Sequence, residues 1–347
     1  MTKTVPQLST MASENDLPAD ENAIVARAQP QNILKTALKI AFAAALIGWL
    51  VHKGVLDTDS LKAVMTPWLI LFCLATVGLQ LFVNNYRWLQ LMRAQGFEST
   101  IAKTVPLSLI GMFFNFAMPG GVGGDVVKGF YLLKQHPQQK FAAAVSIFMD
   151  RLIGFFVMIA TAFFALFLNW NEVANSPQLK SVAFGVSALF LAFLVFFALS
   201  FSKIDARLFE KLPAGKKIRA LYEVLHSYRH SPKALTIAVF MSAINQLLIV
   251  TFFAVIGQAL NIEIPLAVYF FLVPIGIVAQ ALPISPAGIG IGQAALFFLF
   301  KLHLHQDSPI GPVAVTAMQI SSLAWGLVGA YFYLRISHSR GKNPVRT

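Results

Sequence analysis

Asp150 and Arg151 stand side by side inside Phe141 to Leu168, a run of 28 residues with no other charge. At the helical rise they lie about 15 Å from the start of that run, near the centre of a bilayer, where an isolated charge costs at least about 2.5 kcal/mol. Neither can face lipid unpaired. Buried opposite charges of this kind can hold an ionic ligand or carry a proton. They can also fasten helices, by neutralising each other or by pairing with Asp125 and Lys128. In every case they point into the protein.

Two glycine-rich breaks offer a second chemistry. Pro119-Gly120-Gly121-Val122-Gly123-Gly124-Asp125 and Pro283-Ile284-Ser285-Pro286-Ala287-Gly288-Ile289-Gly290-Ile291-Gly292-Gln293 each interrupt an apolar segment. Irregular backbone at bilayer depth persists only where it is buried in protein or lines a polar cavity. After the first break a helix is expected to begin around Val126, and free N-H groups at a glycine turn beside a helix N-terminus favour an anion such as phosphate. Asp125 either caps that helix or meets a cationic group, and Lys128, one turn in, can supply a positive charge. The alternative is structural, with glycines letting helices pack closely.

Asn115, Asn245, Gln246, Gln280 and Gln293 add amides within apolar runs, as interhelical hydrogen bonds or, if several share one depth, as a cavity wall. The candidate substrate-binding set is therefore Asn115, Gly120, Gly121, Gly123, Gly124, Asp125, Lys128, Asp150, Arg151, Gln280, Ser285, Gly290, Gly292 and Gln293.

The elements that must position these residues are membrane helices. The 347-residue chain is 57% hydrophobic and 12% charged, against about 25% charged in a soluble domain. Leu38 to Val51, Pro67 to Val83, Phe141 to Leu168, Val182 to Phe201, Ala234 to Leu260 and Pro312 to Leu334 approach or exceed the roughly 20 residues that cross a bilayer. The half-helix Val126 to Leu133 is far too short to cross. The expected fold is all-α, with six full transmembrane helices and two re-entrant helical hairpins, at 104–134 and 264–305. Residues 1–34 read as a disordered cytoplasmic tail with no signal peptide, 35–335 as the membrane domain, and 336–347 as a second cytoplasmic tail.

With the N-terminus cytoplasmic, 22 of the 27 Lys and Arg fall on the cytoplasmic side, Arg87 and Lys128 among them. Lys53, Lys62, Lys180 and Lys301 fall outside, and Arg151 within the membrane. A single crossing by the first hairpin would invert this distribution, against the positive-inside tendency. The halves, about 35–168 and 180–335, then have opposite orientation, which is the inverted-repeat pattern of transporters. Gly111, 8 residues before Pro119, and Gly276, 7 before Pro283, mark matching places in the two halves.

Other chemistries find little support. The glycines of 288–292 lack dinucleotide-loop spacing, and the first break lacks the Lys-Ser/Thr ending of a phosphate-binding loop. His226 with His230, and His303 with His305, lack partners for a metal set. The net charge of +12 fits cytoplasmic loops facing anionic lipid better than nucleic acid, and 203–233 reads as an amphipathic helix on that leaflet. Cys73 alone can form no intrachain disulfide and reads as a packed hydrophobe.

Asn115-Phe116-Ala117-Met118-Pro119-Gly120-Gly121-Val122-Gly123-Gly124-Asp125-Val126-Val127-Lys128 resembles the signature of the lysylphosphatidylglycerol synthase transmembrane region, or flippase-like domain, family. Tyr86-Arg87-Trp88 resembles its Arg-Trp segment after the second span, Asp150-Arg151-Leu152-Ile153-Gly154 its Asp-Arg-x-x-Gly, and Leu282-Pro283-Ile284-Ser285 its second break. The resemblance covers roughly 35–335. It implies a domain associated with moving aminoacylated phospholipid between leaflets, and stand-alone members resemble transporters of several envelope lipids, including hopanoid or glycolipid types. The chain ends 12 residues after Arg335, so the aminoacyltransferase domain of the full synthases, and synthase activity, are not expected. Gln293 departs from the pattern, standing where members often carry a charged pair.

The expected function is a lipid flippase in the cell (inner) membrane, moving a phosphate-bearing lipid, aminoacylated forms included, without catalysis or a cofactor. Expected partners are that lipid and anionic lipid at the cytoplasmic face, with both termini cytoplasmic. The alternatives are a membrane enzyme with Asp125 or Asp150 as base, and a non-transporting accessory protein of an envelope-lipid pathway.

Overall fold

In lipid every backbone polar group must be satisfied within its own segment or by protein, and the chain meets this with helices: no strand occurs among the described residues. The computed structural model describes residues 62–117, 123–201, 226–282 and 285–341, with the single positions 48 and 52. The expected first span (38–51), the N-terminal tail, Gly120 and Gly121, and most of 203–233 lie outside the described residues.

The helices are α1 (Pro67–Ala94), α2 (Ile101–Ala117), α3 (Gly123–Gln135), α4 (Lys140–Leu168), α5 (Trp170–Asn175), α6 (Pro177–Phe201), α7 (Pro232–Ala259), α8 (Leu266–Gln280), α9 (Ile291–Leu304) and α10 (Ile310–Gly341), with a 3-10 turn at Pro286–Gly288. Five of them, α1, α4, α6, α7 and α10, are long and apolar enough to cross a membrane. The shorter apolar helices α2, α8 and α9 have 17, 15 and 14 residues, or about 25 Å at most, less than a hydrocarbon core of about 30 Å. Large apolar side chains such as Trp68, Phe184 and Leu327 stand exposed on the outer face, where lipid rather than water would meet them.

Three differences from the sequence expectation matter. Helix α1 continues 11 residues past Val83, so Arg87 lies inside a helix and not in a cytoplasmic loop; it is only 7% exposed. Helix α3 begins at Gly123, three residues before Val126, which puts Asp125 in its first turn instead of at its cap. Helix α10 runs to Gly341, into the segment expected as a tail.

The packing partners are reciprocal. Helix α2 packs along α10 and α8 along α4, while α1 packs along α7. One apolar core unites α7, α8, α9 and α10 with parts of α1 and α4; a second, around Trp88, Ile110 and Leu132, ties α1 to α2 and α3. At Gly124 the backbone of α3 meets the Gly111 carbonyl of α2 so closely that no Cβ fits between them. At Gly276 the Leu296 side chain occupies the place a Cβ would take.

Candidate functional site

The site begins as a polar seam between two apolar helices. Gln80, Asn84 and Arg87 recur at spacings of four and three, which places them on one face of α1. Across from them on α7, Ser242 shares a face with Asn245 and Gln246, three and four residues on. The Asn84 amide donates to Asn245 Oδ1 at 3.1 Å, and Arg87 donates to Ser242 Oγ at 2.9 Å. Arg87 then reaches α4, donating through Nε and its second terminal nitrogen to the two carboxylate oxygens of Asp150 at 2.7 and 3.0 Å. This is a bidentate, charge-assisted pair with side-chain exposures of 8% and 14%.

The Asp-Arg-x-x-Gly order on α4 has a physical reason. Asp150 holds Arg87, and a Cβ at Gly154 would stand 3.2 Å from the Arg87 guanidinium, so glycine one turn later gives the arginine room. Arg151 turns the other way and donates to Asp125 Oδ2 at 2.5 Å. Asp150 and Arg151 thus do not neutralise one another: each pairs with a residue from a different helix.

Asp125, in the first turn of α3, keeps a favourable position for a carboxylate near a helix N-terminus while its oxygen goes to Arg151. The Gly124 N-H donates to Asn115 Oδ1 at 2.9 Å, so one of the amides expected to greet an anion is already bonded. Lys128, one turn further, lies with Nζ 5.3 Å over the Trp88 ring. It is half-buried.

These groups share a cavity of about 600 Å³. Of the expected site residues, Asn115, Gly124, Asp125, Lys128, Asp150, Arg151 and Gln280 line it, together with Gln80, Asn84, Arg87, Asn245, Gln246 and Gln319. Gly123, Ser285, Gly290, Gly292 and Gln293 are not on its wall. Gln293 is spent on structure: its carbonyl accepts the Gly290 N-H at 2.9 Å and its amide donates to Gln319 at 2.8 Å. Gly290 has a φ of 84°, which favours glycine, and Gly292 leaves space for the Gln280 amide.

Arg87 is the charged wall residue that the sequence hid, and Gln80, Asn84 and Gln319 were missed with it. The apolar run on either side of it, through Leu89, Leu91 and Met92, and the Gln80-Asn84-Arg87 stripe were the available signals.

Charge at the cavity wall is uneven. Arg87, Arg151 and Lys128 oppose Asp125 and Asp150, which leaves one net positive charge. Both carboxylates are held by guanidinium groups, whereas Lys128 forms no ion pair among the described residues. An anion entering here meets cations within a low-dielectric surround, where their attraction is far stronger than in water.

Fold and site together define a multi-pass, all-helical membrane protein with a charged internal cavity. The model of the lysylphosphatidylglycerol synthase TM region matches residues 36–330, and the chain belongs to that family. It is similar to the UPF0104 membrane protein MJ1078 of Methanocaldococcus jannaschii, with 27% identity over 243 residues, covering 67% of this chain and 98% of that protein. No solved structure matches it.

Proposed function

We propose that this protein moves a phosphate-bearing membrane lipid, aminoacylated forms included, from one leaflet of the cell (inner) membrane to the other, with both termini cytoplasmic and anionic lipid at its cytoplasmic face. The observation that carries this is the net positive cavity, where Lys128 forms no ion pair among the described residues and Arg151 keeps 47% of its side chain exposed. A headgroup phosphate would settle between those two cations, with the acyl chains left in the bilayer. The work is relocation: no bond need be made or broken.

Alternating access gains support from the packing. If α2 with α3 and α8 with α9 are re-entrant hairpins, the first helix of each packs against the last span of the other half, and α1 and α7 are equivalent spans facing each other. That reciprocity is what an inverted repeat around a midplane site produces. The lysylphosphatidylglycerol named in the family's description sets one candidate lipid.

The test is reconstitution of the pure full chain into liposomes that carry fluorescent phosphatidylglycerol, with dithionite added outside. Faster bleaching of the inner-leaflet pool than in protein-free liposomes is the expected result. Bleaching that halts at the outer-leaflet fraction overturns the proposal.

A further inference from the structure

An asparagine amide carries an acceptor at one end and a donor at the other, so an amide held by one end presents the other. On the cavity wall Asn85 is spent at both ends: its nitrogen donates to Thr104 Oγ1 at 3.0 Å and its oxygen accepts from the Ser108 hydroxyl at 2.9 Å. Asn84 and Asn245 bond end to end, and such a pair serves in either order. Asn115 is different. Its oxygen accepts the Gly124 N-H at 2.9 Å, and a backbone N-H can only donate, so the end turned away from that bond is the nitrogen. This Nδ2 has no hydrogen-bond partner among the described residues. Unlike the orphaned amide atoms of Gln80, Gln246 and Gln280, it is not sealed off by its neighbours, and Asn115 lines the cavity.

Its neighbours are the cations of the proposed phosphate site. Gly111 and Asn115 lie one turn apart on the same face of α2, and a Cβ at Gly111 would stand 3.0 Å from Lys128 Cε. The lysine stem therefore crosses α2 one turn from Asn115. Asp125, next after Gly124, holds Arg151. Were Asn115 needed only to bond the first turn of α3, a side chain with an acceptor alone would serve, without leaving a donor unmet at a depth where that is costly.

A phosphodiester keeps two oxygens free of ester bonds. Resting on the phosphate site proposed above, we infer that Asn115 is a binding residue of that site, its Nδ2 donating to one of these oxygens while Lys128 and Arg151 take the other. The cations attract the headgroup, and the asparagine, pinned through Gly124, fixes its orientation.

The test is calorimetric titration of the full chain in detergent with dihexanoyl phosphatidylglycerol and with soluble glycerol 3-phosphate. Asn115→Leu should weaken binding of the lipid by at least about tenfold, the scale of a hydrogen bond to a charged group. Asn115→Asp keeps an oxygen for the Gly124 N-H but loses the donor, so it should weaken binding at least as much while unfolding closer to the parent than Asn115→Leu does. Asn245→Asp puts the same charge on the cavity wall and keeps the Asn115 donor, so it should weaken binding less. In the parent labelled with 15N-asparagine, the side-chain amide signal that either Asn115 variant lacks should shift when the lipid is added. Asn115→Asp binding as the parent does, or no worse than Asn245→Asp, overturns the donor role while leaving the phosphate site standing. Failure of the parent to bind the lipid overturns the phosphate site itself, and glycerol 3-phosphate matching phosphatidylglycerol overturns the lipid as the source of the phosphate. If Asn115→Leu does not fold, Asn115→Asp against Asn245→Asp decides.

Discussion

Arg87 and Asp150, 63 residues apart in sequence, form a two-pronged ion pair between α1 and α4, and a third arm of the guanidinium binds Ser242 on α7. One side chain therefore joins three helices at the cavity wall. Removing either partner strands a buried charge, at a cost of about 3–5 kcal/mol. Asp150→Asn and Arg87→Gln should each lower the thermal unfolding temperature of the detergent-solubilised protein and stop lipid translocation. The double variant Arg87→Gln with Asp150→Asn should recover much of the stability, since neither charge is stranded, without recovering transport. Equal melting of single and double variants would show that the pair holds nothing together.

Arg151 and Asp125 differ from that pair in exposure. Arg151 is 47% exposed at the cavity wall while Asp125 is 12% exposed, so losing the carboxylate leaves a charge that solvent or ligand can reach, whereas losing the guanidinium strands a buried one. Arg151→Gln should therefore lower the unfolding temperature more than Asp125→Asn does, and should reduce translocation by at least about tenfold, the scale of a charge-assisted contact. Thermal unfolding and the liposome assay on the same preparation separate the two effects. A large loss of stability with normal transport would make Arg151 a fastener.

Lys128 supplies the unbalanced charge. Lys128→Met keeps the packing of the chain on Trp88 and removes the cation, so binding of phosphatidic acid should weaken by about tenfold or more. Raising salt from low to physiological strength should then affect the variant less than the parent. Unchanged affinity in Lys128→Met would move the anion's partner to Arg151 alone.

Tyr228 sits outside the spans, fully buried, with its hydroxyl donating to the Leu91 carbonyl at 3.1 Å. Burial pushes its phenol well above the ordinary range. The sign follows: below about pH 10 the phenol is protonated in both folded and unfolded chains, and its contribution is intact. Above that pH the unfolded chain releases the proton that the folded chain retains, so stability falls as pH rises. Tyr228→Phe should lose about 1 kcal/mol at neutral pH and lose less than the parent between neutral pH and pH 11, read by thermal unfolding across that range.

Much of this architecture was legible from composition and spacing. Apolar length alone marks α1, α4, α6, α7 and α10, and the brevity of the segment after Asp125 marks α3 as a helix of only 13 residues. Asp150 and Arg151 announce themselves because lipid makes unpaired charge so costly. Their partners were harder. Which carboxylate meets which guanidinium depends on helix rotation and register, which local patterning leaves open, so Asp150 pairing with Arg87 rather than its neighbour emerges only in three dimensions. Arg87 itself was masked by its place near the end of a span, where arginine ordinarily marks a cytoplasmic loop. The second break divides: Ala287 and Gly288 line the cavity, while Gly290 and Gln293 turn the chain and cap α9, a split that the run of glycines does not reveal.

Glycine at 124 is the sharpest test of how the first break is built. A Cβ there would collide with the Gly111 carbonyl and the Asn115 side chain, both of them fixed by α2, so relief requires α3 to move away from α2. That movement would break the Gly124 bond to Asn115 and pull Asp125 from Arg151. Gly124→Ala should therefore destabilise the protein by about 1–3 kcal/mol, the range for overpacking a tight contact, and reduce translocation as well. Gly185→Ala is the matched control, because nothing lies within 4 Å of the Cβ it would add, and in a helix interior alanine is favoured over glycine by up to about 1 kcal/mol. It should leave transport unchanged and raise the unfolding temperature slightly. If Gly124→Ala behaves like Gly185→Ala, the close approach of α3 to α2 is not what positions Asp125, and the geometry of the charged cavity must depend on other contacts.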